Sequence, residues 1–407
     1  MARTLRPVLR PARRRASRPA SLVALAVTAA LVAGCGDDQP AAAPSSSAVS
    51  SASTSSVDAS PASSSPAARA CGAAELRELT LRQKLAQMLV VGVTGAQDAR
   101  SIVEQEQIGG IFIGSWSDLS MLSDGSVKAI ASESRTPLMV TVDQEGGRVS
   151  RLSSLGIDLP SARQMVAQGM TAAQVRELAE STGRKLAKLG ITVDIAPVVD
   201  VSDEDDDEVI GDRSFSNDPA VVTEYAQAFS RGLQDAGVMP VFKHFPGHGH
   251  GSGDSHLGVV RTPPLSQLRQ SDLVPYQTLL RDPGNAGVMM GHLIVPGLTG
   301  AETPASISPA AIGMLRNGKK YDGPRFRGVI FSDDLSGMKA ISARYPIDQA
   351  VLKSIRAGID VALWLSTDQV PQVLDTLVDA VKSGKLTEKR VDRSVVRVLR
   401  AKGALTC

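Results

Sequence analysis

Eight short runs of apolar and β-branched residues recur along most of this 407-residue chain, and segments with helical spacing separate them. Runs of four to six such residues are typical of strands buried in a parallel sheet. The predicted strands are Met88–Val93, Ile108–Ile113, Leu138–Val142, Ile191–Ile195, Val238–Phe242, Gly287–Met290, Gly328–Phe331 and Val361–Leu365. Eight strands that alternate with helices predict an α/β fold, a single-domain (β/α)₈ barrel of the TIM type.

The helical segments are clearest at 173–189 and 219–236, where apolar residues repeat with the spacing of one helix face. A doubly wound open sheet would show a similar alternation of strands and helices. However, no Gly-x-Gly-x-x-Gly motif follows the first strand, as is typical of the nucleotide-binding proteins of that class. The sequence therefore favours the barrel.

Polar residues follow most of the predicted strands. They are Asp143, Asp200, Lys243, His244, His292, Ser332, Asp333 and Asp334. For any one of them, capping a helix or satisfying a strand end would be the more common role. Active sites of barrels lie at the carboxyl ends of the strands, so the joint placement of these residues predicts a catalytic site there.

Four of the five histidines lie between His244 and His256, in a segment that also contains Gly247, Gly249, Gly251 and Gly253. A zinc site is one interpretation, but the spacing fits neither a zinc finger nor a His-Glu-x-x-His helix. A solvated loop with incidental histidines is another. Asp254 precedes His256 by two residues, and a carboxylate at that distance can orient an imidazole as an acid/base dyad.

Residues 1–34 have the composition of an export signal. They contain seven arginines and no acidic residue, followed by the apolar run 21–32, which is shorter than the roughly 20 residues that span a bilayer. Val32-Ala-Gly-Cys35 resembles the lipobox of bacterial lipoproteins, in which the cysteine is lipidated. We therefore expect export and lipid anchoring through Cys35 to the outer face of the cytoplasmic membrane. An uncleaved membrane anchor is the alternative.

The basic charge of the chain belongs to this signal. The whole chain has a net charge of +2, so the part after residue 34 has a net charge of −5, and nucleic acid is not an expected partner. Residues 35–70 are rich in Ser, Ala and Pro and predict a tether. The catalytic domain is then 71–407. In an oxidising compartment Cys71 and Cys407 would form a disulfide, with two free thiols as the alternative.

Several longer motifs occur in a fixed order. They are Asp143-Gln-Glu-Gly-Gly-Arg-Val-Ser-Arg151, Ile210-Gly-Asp-Arg-Ser-Phe215, Lys243-His-Phe-Pro-Gly-His-Gly249 with Asp254-Ser-His256, and Phe331-Ser-Asp-Asp-Leu335. With them the chain resembles the bacterial β-N-acetylglucosaminidases of glycoside hydrolase family 3, from about residue 75 to 400. The resemblance implies retaining hydrolysis of terminal β-linked N-acetylglucosamine, notably from peptidoglycan fragments. It also implies that no metal or organic cofactor takes part, and a monomer is expected.

The resemblance also implies roles for individual residues. Asp333 matches the nucleophile, His256 the proton donor and Asp254 the residue that tunes it. Asp143, Arg151, Arg213, Lys243 and His244 match positions that bind the sugar. Asp334 is the alternative nucleophile, although adjacent residues of a strand point in opposite directions. His250 receives no role, and the acidic run 203–208 is interpreted as a solvated loop.

Three other functions stay open. A β-glucosidase or xylosidase would share the nucleophile but is not expected to have the Asp-Ser-His dyad. A phosphorylase would use phosphate in place of water, and a neutral imidazole would not repel that anion. A wall-binding lipoprotein without activity is disfavoured because both Asp333 and His256 are present.

Overall fold

A computed structural model of the protein describes residues 71–405. Eight parallel strands form a closed barrel in which each strand pairs with its neighbours in sequence and the eighth pairs with the first. The strands are β1 Leu89–Val93, β2 Gly110–Ile113, β3 Met139–Val142, β4 Val193–Asp194, β5 Met239–Phe245, β6 Gly287–Met290, β7 Ile330–Asp334 and β8 Val361–Trp364. The predicted (β/α)₈ barrel is confirmed.

The helices surround the barrel and connect its strands. They are α1 Ala73–Arg77, α2 Leu81–Ala86, α3 Ala96–Glu106, α4 Ser120–Ser123, α5 Ser126–Glu133, α6 Ala162–Ala167, α7 Ala172–Lys188, α8 Pro219–Asp235, α9 Leu265–Leu268, α10 Val274–Leu279, α11 Pro309–Asn317, α12 Lys339–Ser342, α13 Ile347–Ala357, α14 Val370–Lys382 and α15 Glu388–Ala401. Single 3₁₀ turns occupy Ser153–Leu155, Gly211–Arg213 and Ala305–Ile307.

The two helices that the sequence predicts most clearly are α7 and α8, and each begins at a capping residue. The Thr171 side chain accepts a hydrogen bond from the Gln174 amide, and the Gln174 side chain bonds back to the cap. Asp218 caps α8, with Pro219 in the first turn. These caps satisfy amide groups that have no partner within the helix, so the local sequence determines where both helices begin.

Seven of the eight strands differ in length from the prediction, by one to three residues, and β7 runs to Asp334, so that Ser332, Asp333 and Asp334 lie within the strand and not after it. β4 has only two residues, and Pro197 follows shortly after it; proline has no amide hydrogen to continue the ladder. β5 extends to Phe245, so Lys243 and His244 lie within the strand and not after it. The strand is longer than its apolar run because polar side chains near the end of a barrel strand can point into a pocket.

The barrel has two layers of apolar packing. Its interior is filled by side chains that include Val90, Phe112, Met239, Phe331 and Leu363. A second, larger cluster lies between the outer face of the strands and the helices. Side chains fill the interior, so the barrel is a packed scaffold whose strand ends hold residues in fixed positions.

Several of the predictions made from the sequence concern residues that the structure does not describe. Residues 1–70, with the signal, Cys35 and the tether, lie outside the described residues, as does Cys407. Cys71 is disulfide-bonded, and its pairing with Cys407 stays a prediction. Between residues 71 and 405, no helix is both long and apolar enough to cross a membrane.

Candidate active site

A pocket of about 610 Å³ opens at the carboxyl ends of the barrel strands. All eight residues predicted for catalysis and sugar binding line it: Asp143, Arg151, Arg213, Lys243, His244, Asp254, His256 and Asp333. They come from loops and strands far apart in sequence. The fold therefore brings the predicted residues together at the end of the barrel where this architecture has its active sites.

Asp333 lies near the end of β7 and is 7% exposed. One carboxylate oxygen accepts a hydrogen bond of 2.9 Å from the amide of Asp334. Burial raises the pKa of Asp333, but the nearby His244 and His292 outweigh it and keep the pKa below its usual value. The carboxylate is thus ionised near neutral pH, as a nucleophile requires.

Asp334 also borders the pocket, but its carboxylate binds its own loop. It accepts hydrogen bonds of 2.8 Å from the amide and the hydroxyl of Ser336 and from the amide of Gly337. The pairing of β7 with β8 shifts register between Phe331 and Asp334, so simple alternation along the strand does not separate the two acids. The hydrogen-bond partners separate the two acids, because the carboxylate of Asp334 is bound within the turn after β7.

Asp254 and His256 form the predicted dyad. The Nδ1 atom of His256 lies 2.7 Å from Oδ1 of Asp254, and the same oxygen accepts a 2.8 Å bond from the His256 amide. Burial raises the pKa of Asp254, and these two bonds from His256 lower it more, so that the carboxylate is ionised. Because Nδ1 is directed to Asp254, Nε2 is the ring nitrogen available to a substrate.

The loop that carries the dyad is fixed at its base and contacts the loop after β7. Ser252 and Arg261 exchange two hydrogen bonds of 2.9 Å across the base. Gly249 passes so close to the Val201 carbonyl that a Cβ atom would lie 2.0 Å from its oxygen. At the tip, the buried Ser255 accepts a 3.0 Å bond from the Ala340 amide. The dyad is therefore tied to the element that follows Asp333.

A buried ion-pair network forms the inner wall of the pocket. Lys243 Nζ lies 2.7 Å from Asp143 and 2.6 Å from Glu145. Arg213 binds both oxygens of Glu145, at 2.8 and 2.9 Å. Burial raises the pKa of Glu145, but Arg213 and Lys243 lower it by a larger amount, so that the pKa lies well below its usual range. The network holds the two cations in fixed orientations, as bidentate pairing with a carboxylate allows.

His244 is positioned by a second buried carboxylate. Its Nδ1 lies 2.7 Å from Oδ2 of Asp200, and the other oxygen of Asp200 accepts a 2.7 Å bond from the His248 amide. Burial raises the pKa of Asp200, while His244 lowers it below its usual value. Asp200 thus directs the Nε2 side of His244 towards the pocket.

Arg151 differs from the other cations of the site. Its backbone amide binds Gln144, but its guanidinium forms no hydrogen bond or ion pair with another residue between 71 and 405. Since the group lines the pocket, its donors are available for a ligand.

The sequence did not assign a role to Glu145, Trp116 or Leu257. Glu145 could have been found, because it lies in the same motif as Asp143, two residues further along the chain. Trp116 and Leu257 line the pocket although they are 41% and 76% exposed. The sequence contains no signal for them, since an isolated apolar residue is usually part of a core.

Of the remaining histidines, His248 lines the pocket, whereas His250 and His292 do not. His250 lies 2.8 Å from Asp272, and the buried His292 contacts the hydroxyl of Ser306 and the carbonyl of Asp334. Within residues 71–405, no three His, Cys, Asp or Glu side chains are arranged to hold a metal ion. The histidine-rich segment therefore serves the pocket and its supporting contacts.

Comparisons with known proteins agree with this geometry. Residues 80–401 match the family model described as the glycosyl hydrolase family 3 N terminal domain. The β-hexosaminidase LpqI of Mycobacterium tuberculosis is 57% identical over 326 residues, which is 80% of this chain and 83% of LpqI. The solved structure of M. tuberculosis LpqI superposes with a TM-score of 0.80 at 56% identity, over 83% of this chain and 98% of that one.

A more distant solved structure extends the comparison. The family 3 β-N-acetylglucosaminidase of Paenibacillus sp. str. FPU-7 is 33% identical, with a TM-score of 0.72 over 80% of this chain and 62% of that one. The match of the family model covers most of the chain, and the pocket contains the residues that the motifs predicted. The chain belongs to glycosyl hydrolase family 3 and is a glycoside hydrolase of the β-hexosaminidase type.

Proposed function

We propose that the protein is an exo-acting, retaining β-N-acetylglucosaminidase that removes terminal β-linked N-acetylglucosamine from peptidoglycan-derived fragments. The observation that carries the proposal is one pocket that contains the ionised Asp333 and the Asp254–His256 dyad. The names of the related enzymes, β-hexosaminidase and β-N-acetylglucosaminidase, support the substrate class.

In the first step, a carboxylate oxygen of Asp333 attacks the anomeric carbon and forms a glycosyl ester. The bond from that carbon to the leaving oxygen breaks, and His256 donates its proton to this oxygen. In the second step, His256 removes a proton from a water molecule, which attacks the anomeric carbon and releases Asp333. Retention follows because two displacements occur at the same carbon.

Asp254 supports both roles of His256. Its carboxylate faces Nδ1, so it stabilises the imidazolium before proton donation and keeps Nε2 in position afterwards. An ordinary imidazole titrates near pH ~6.5, so it can act as acid and then as base near neutral pH. The dyad thus does the work that a second carboxylic acid does in most retaining glycosidases.

The inner wall suits one sugar ring. Lys243 and Arg213 are fixed by Glu145, Asp143 can accept hydrogen bonds from sugar hydroxyls, and Arg151 has free donors. Such directional donors and acceptors recognise hydroxyl and amide groups. A pocket of this size, closed at its inner end by the packed barrel interior, supports removal of a terminal residue.

The charge of the pocket supports hydrolysis over phosphorolysis. Seven carboxylates line it, Asp143, Glu145, Asp207, Glu208, Asp254, Asp333 and Asp334, against the four cations Arg148, Arg151, Arg213 and Lys243. An excess of negative charge disfavours a dianionic phosphate as the acceptor. Water is therefore the proposed acceptor.

The proposed location rests on the export signal and on Cys35. We propose that the mature enzyme is lipid-anchored to the outer face of the cytoplasmic membrane and acts there as a monomer on wall fragments. The tether would place the barrel among its substrates.

The test compares para-nitrophenyl β-glycosides that differ only at carbon 2, together with a GlcNAc-anhydro-muropeptide. We expect kcat/KM for the 2-acetamido sugar to exceed that for the glucoside and xyloside by at least about 100-fold, as for sites that pair a polar substituent. Added phosphate should not raise the rate or give a sugar phosphate. Equal rates on the glucoside, or formation of a glycosyl phosphate, would overturn the proposal.

A further inference from the structure

A second groove, larger than the catalytic pocket at about 880 Å³, lies at the opposite end of the barrel. It is lined by residues that precede β7 and β8 and by α11 and α15. Eight cationic residues line it: Arg316, Arg325, Arg327, Lys389, Arg390, Arg393, Arg397 and Arg400. The acidic residues of the lining are Glu388 and Asp392, and both are paired with Lys84, at 3.1 and 2.9 Å.

Three of the arginines share a single carboxylate. Asp360 is fully buried and pairs with Arg316, with Arg397 at 3.1 Å and with Arg390 at 3.8 Å. Burial lowers the pKa of Arg316 to about 10, with a contribution from the neighbouring Arg397 and Arg390 that Asp360 does not fully offset. Positive charge at the floor of the groove therefore exceeds the charge that compensates it.

The rim of the groove has cations without partners. Arg325, Arg327, Lys389 and Arg393 are exposed, and their side chains form no ion pair or hydrogen bond with other residues in the described part of the chain. Guanidinium groups bind phosphate oxygens in bidentate geometry, so a concave cluster of this kind matches a phosphate-bearing surface.

The charge of the groove contrasts with that of the rest of the protein. The chain after residue 34 has a net charge of −5, and the catalytic pocket has more carboxylates than cations. An anionic surface would therefore attract this end of the barrel and repel the other. Cys71, the residue at which the predicted tether joins the barrel, also lines the groove.

We propose that this groove, the basic groove, docks the barrel on the phosphate headgroups of an anionic membrane and directs the catalytic pocket away from the lipid. The inference goes beyond the proposed hydrolysis, and it rests on the proposed lipid anchoring, which keeps a membrane nearby. Anionic headgroups attract basic side chains within a Debye length of the surface, so contact requires a nearby membrane. The sequence predicts that residues 35–70 join a lipidated Cys35 to the barrel at Cys71, so the proposed anchor would keep the groove near the membrane.

The test uses residues 71–407, since the described part of this segment forms a closed barrel with both of its cores. Co-sedimentation is measured with vesicles of phosphatidylcholine, with and without phosphatidylglycerol. We expect binding only when phosphatidylglycerol is present, and weaker binding as the salt concentration rises. The triple variant Arg325→Glu, Arg327→Glu and Arg393→Glu should bind at least about tenfold more weakly.

A control variant carries the same change of charge on another face. Lys128, Lys185 and Lys188 are exposed on α5 and α7, which precede β3 and β4 on the side of the barrel opposite β7 and β8. Their replacement by Glu should weaken binding less than the groove variant does. Equal melting temperatures and equal hydrolysis of an aryl glycoside will confirm that both variants are folded. Equal losses in both variants, or no selectivity for phosphatidylglycerol, would overturn the proposal. Stabilisation by inorganic phosphate without vesicle binding would assign the groove to the free anion and also overturn it.

Discussion

Asp333 and Asp334 are adjacent and similarly buried, at 7% and 6% exposed, but their carboxylates have different partners. Asp334 accepts three hydrogen bonds from its own loop, whereas the bond to Asp333 is a single amide from its neighbour. A carboxylate that forms a covalent bond needs an oxygen that is not engaged elsewhere. At the scale of the residue, the hydrogen-bond partners therefore favour Asp333 over Asp334 as the nucleophile.

Replacement of each acid should separate the two roles. Asp333→Asn should lower kcat by about 10⁴-fold or more because no glycosyl ester can form. Asp334→Asn should lower the melting temperature but retain covalent turnover, because the turn after β7 loses charged acceptors. A 5-fluoro analogue of the N-acetylglucosaminide, which keeps the 2-acetamido group, should label Asp333, as located by mass spectrometry. A label on Asp334 would reverse the assignment.

His256 should matter in proportion to the difficulty of the leaving group. A nitrophenolate leaves with little protonation, whereas a sugar oxygen needs general-acid help worth roughly 10²–10⁴-fold. We expect His256→Ala to reduce kcat/KM on a disaccharide far more than on an activated aryl glycoside, and Asp254→Ala to do so more mildly. The measurement is kcat/KM across aryl leaving groups of graded pKa. An unchanged slope in His256→Ala would exclude the acid role.

At the scale of the element, the loop after β5 combines two histidine–carboxylate pairs. The pair at its tip, Asp254 and His256, faces the pocket, and the pair near its base joins His250 to Asp272. Asp272 is fully buried and also binds the hydroxyl of Ser271 at 2.7 Å. His250 therefore connects the start of the catalytic loop to the segment before α10.

The contact at the base should make stability depend on pH. The hydrogen bond to Asp272 raises the pKa of His250, burial lowers it, and Asp272, Asp203 and Glu204 raise it further through their charges. Because the folded pKa lies above the unfolded value, the stabilisation is complete below about pH 6.5 and is lost as pH rises through the folded pKa.

The variant His250→Asn tests this pH dependence, because asparagine can still donate a hydrogen bond but does not titrate. The stability difference from wild type, measured by urea unfolding, should be largest near pH 5.5 and shrink towards pH 8.5. In an Asp272→Asn background the substitution should have little pH-dependent effect. A difference that is constant with pH would show that the charge of His250 does not contribute.

At the scale of the whole molecule, the pocket and the groove at the two ends of the barrel have linings of opposite charge. The carboxyl ends of the strands carry the acidic catalytic pocket, and the amino ends carry the basic groove beside Cys71. Parallel strands make this separation possible. All eight run in the same direction, so their carboxyl ends lie at one end of the barrel and their amino ends at the other.

A substitution at Cys35 tests how the whole molecule is anchored. Cys35→Ala should abolish lipidation and move the enzyme to the soluble fraction after a high-salt wash, with unchanged specific activity. The wash removes contacts of the basic groove, which salt screens, but leaves a lipid anchor in place. Cell fractionation with an aryl-glycoside assay measures both quantities. Membrane retention of the variant after the wash would indicate that the apolar segment 21–32 is itself the anchor.

The sequence by itself was sufficient for the barrel and for most of the pocket. Strand runs such as Gly287–Met290 and capped helices such as α7 are local patterns, and local physics specifies them. The family resemblance, which rests on motifs that are local stretches of the chain, assigned roles to Asp333, His256, Asp254 and the sugar-binding residues. Alternation along β7, however, favoured Asp333 over Asp334 by an argument that the register shift weakens.

Only the tertiary structure decided which groups contact one another across the chain. Glu145 meets Arg213, 68 residues away, and His250 meets Asp272, 22 residues away. The basic groove joins α11, α15 and the residues before β7 and β8, whose arginines are scattered in sequence and look like ordinary surface residues there. Closure of the barrel sets these distances, and periodicity along one element contains no information about them.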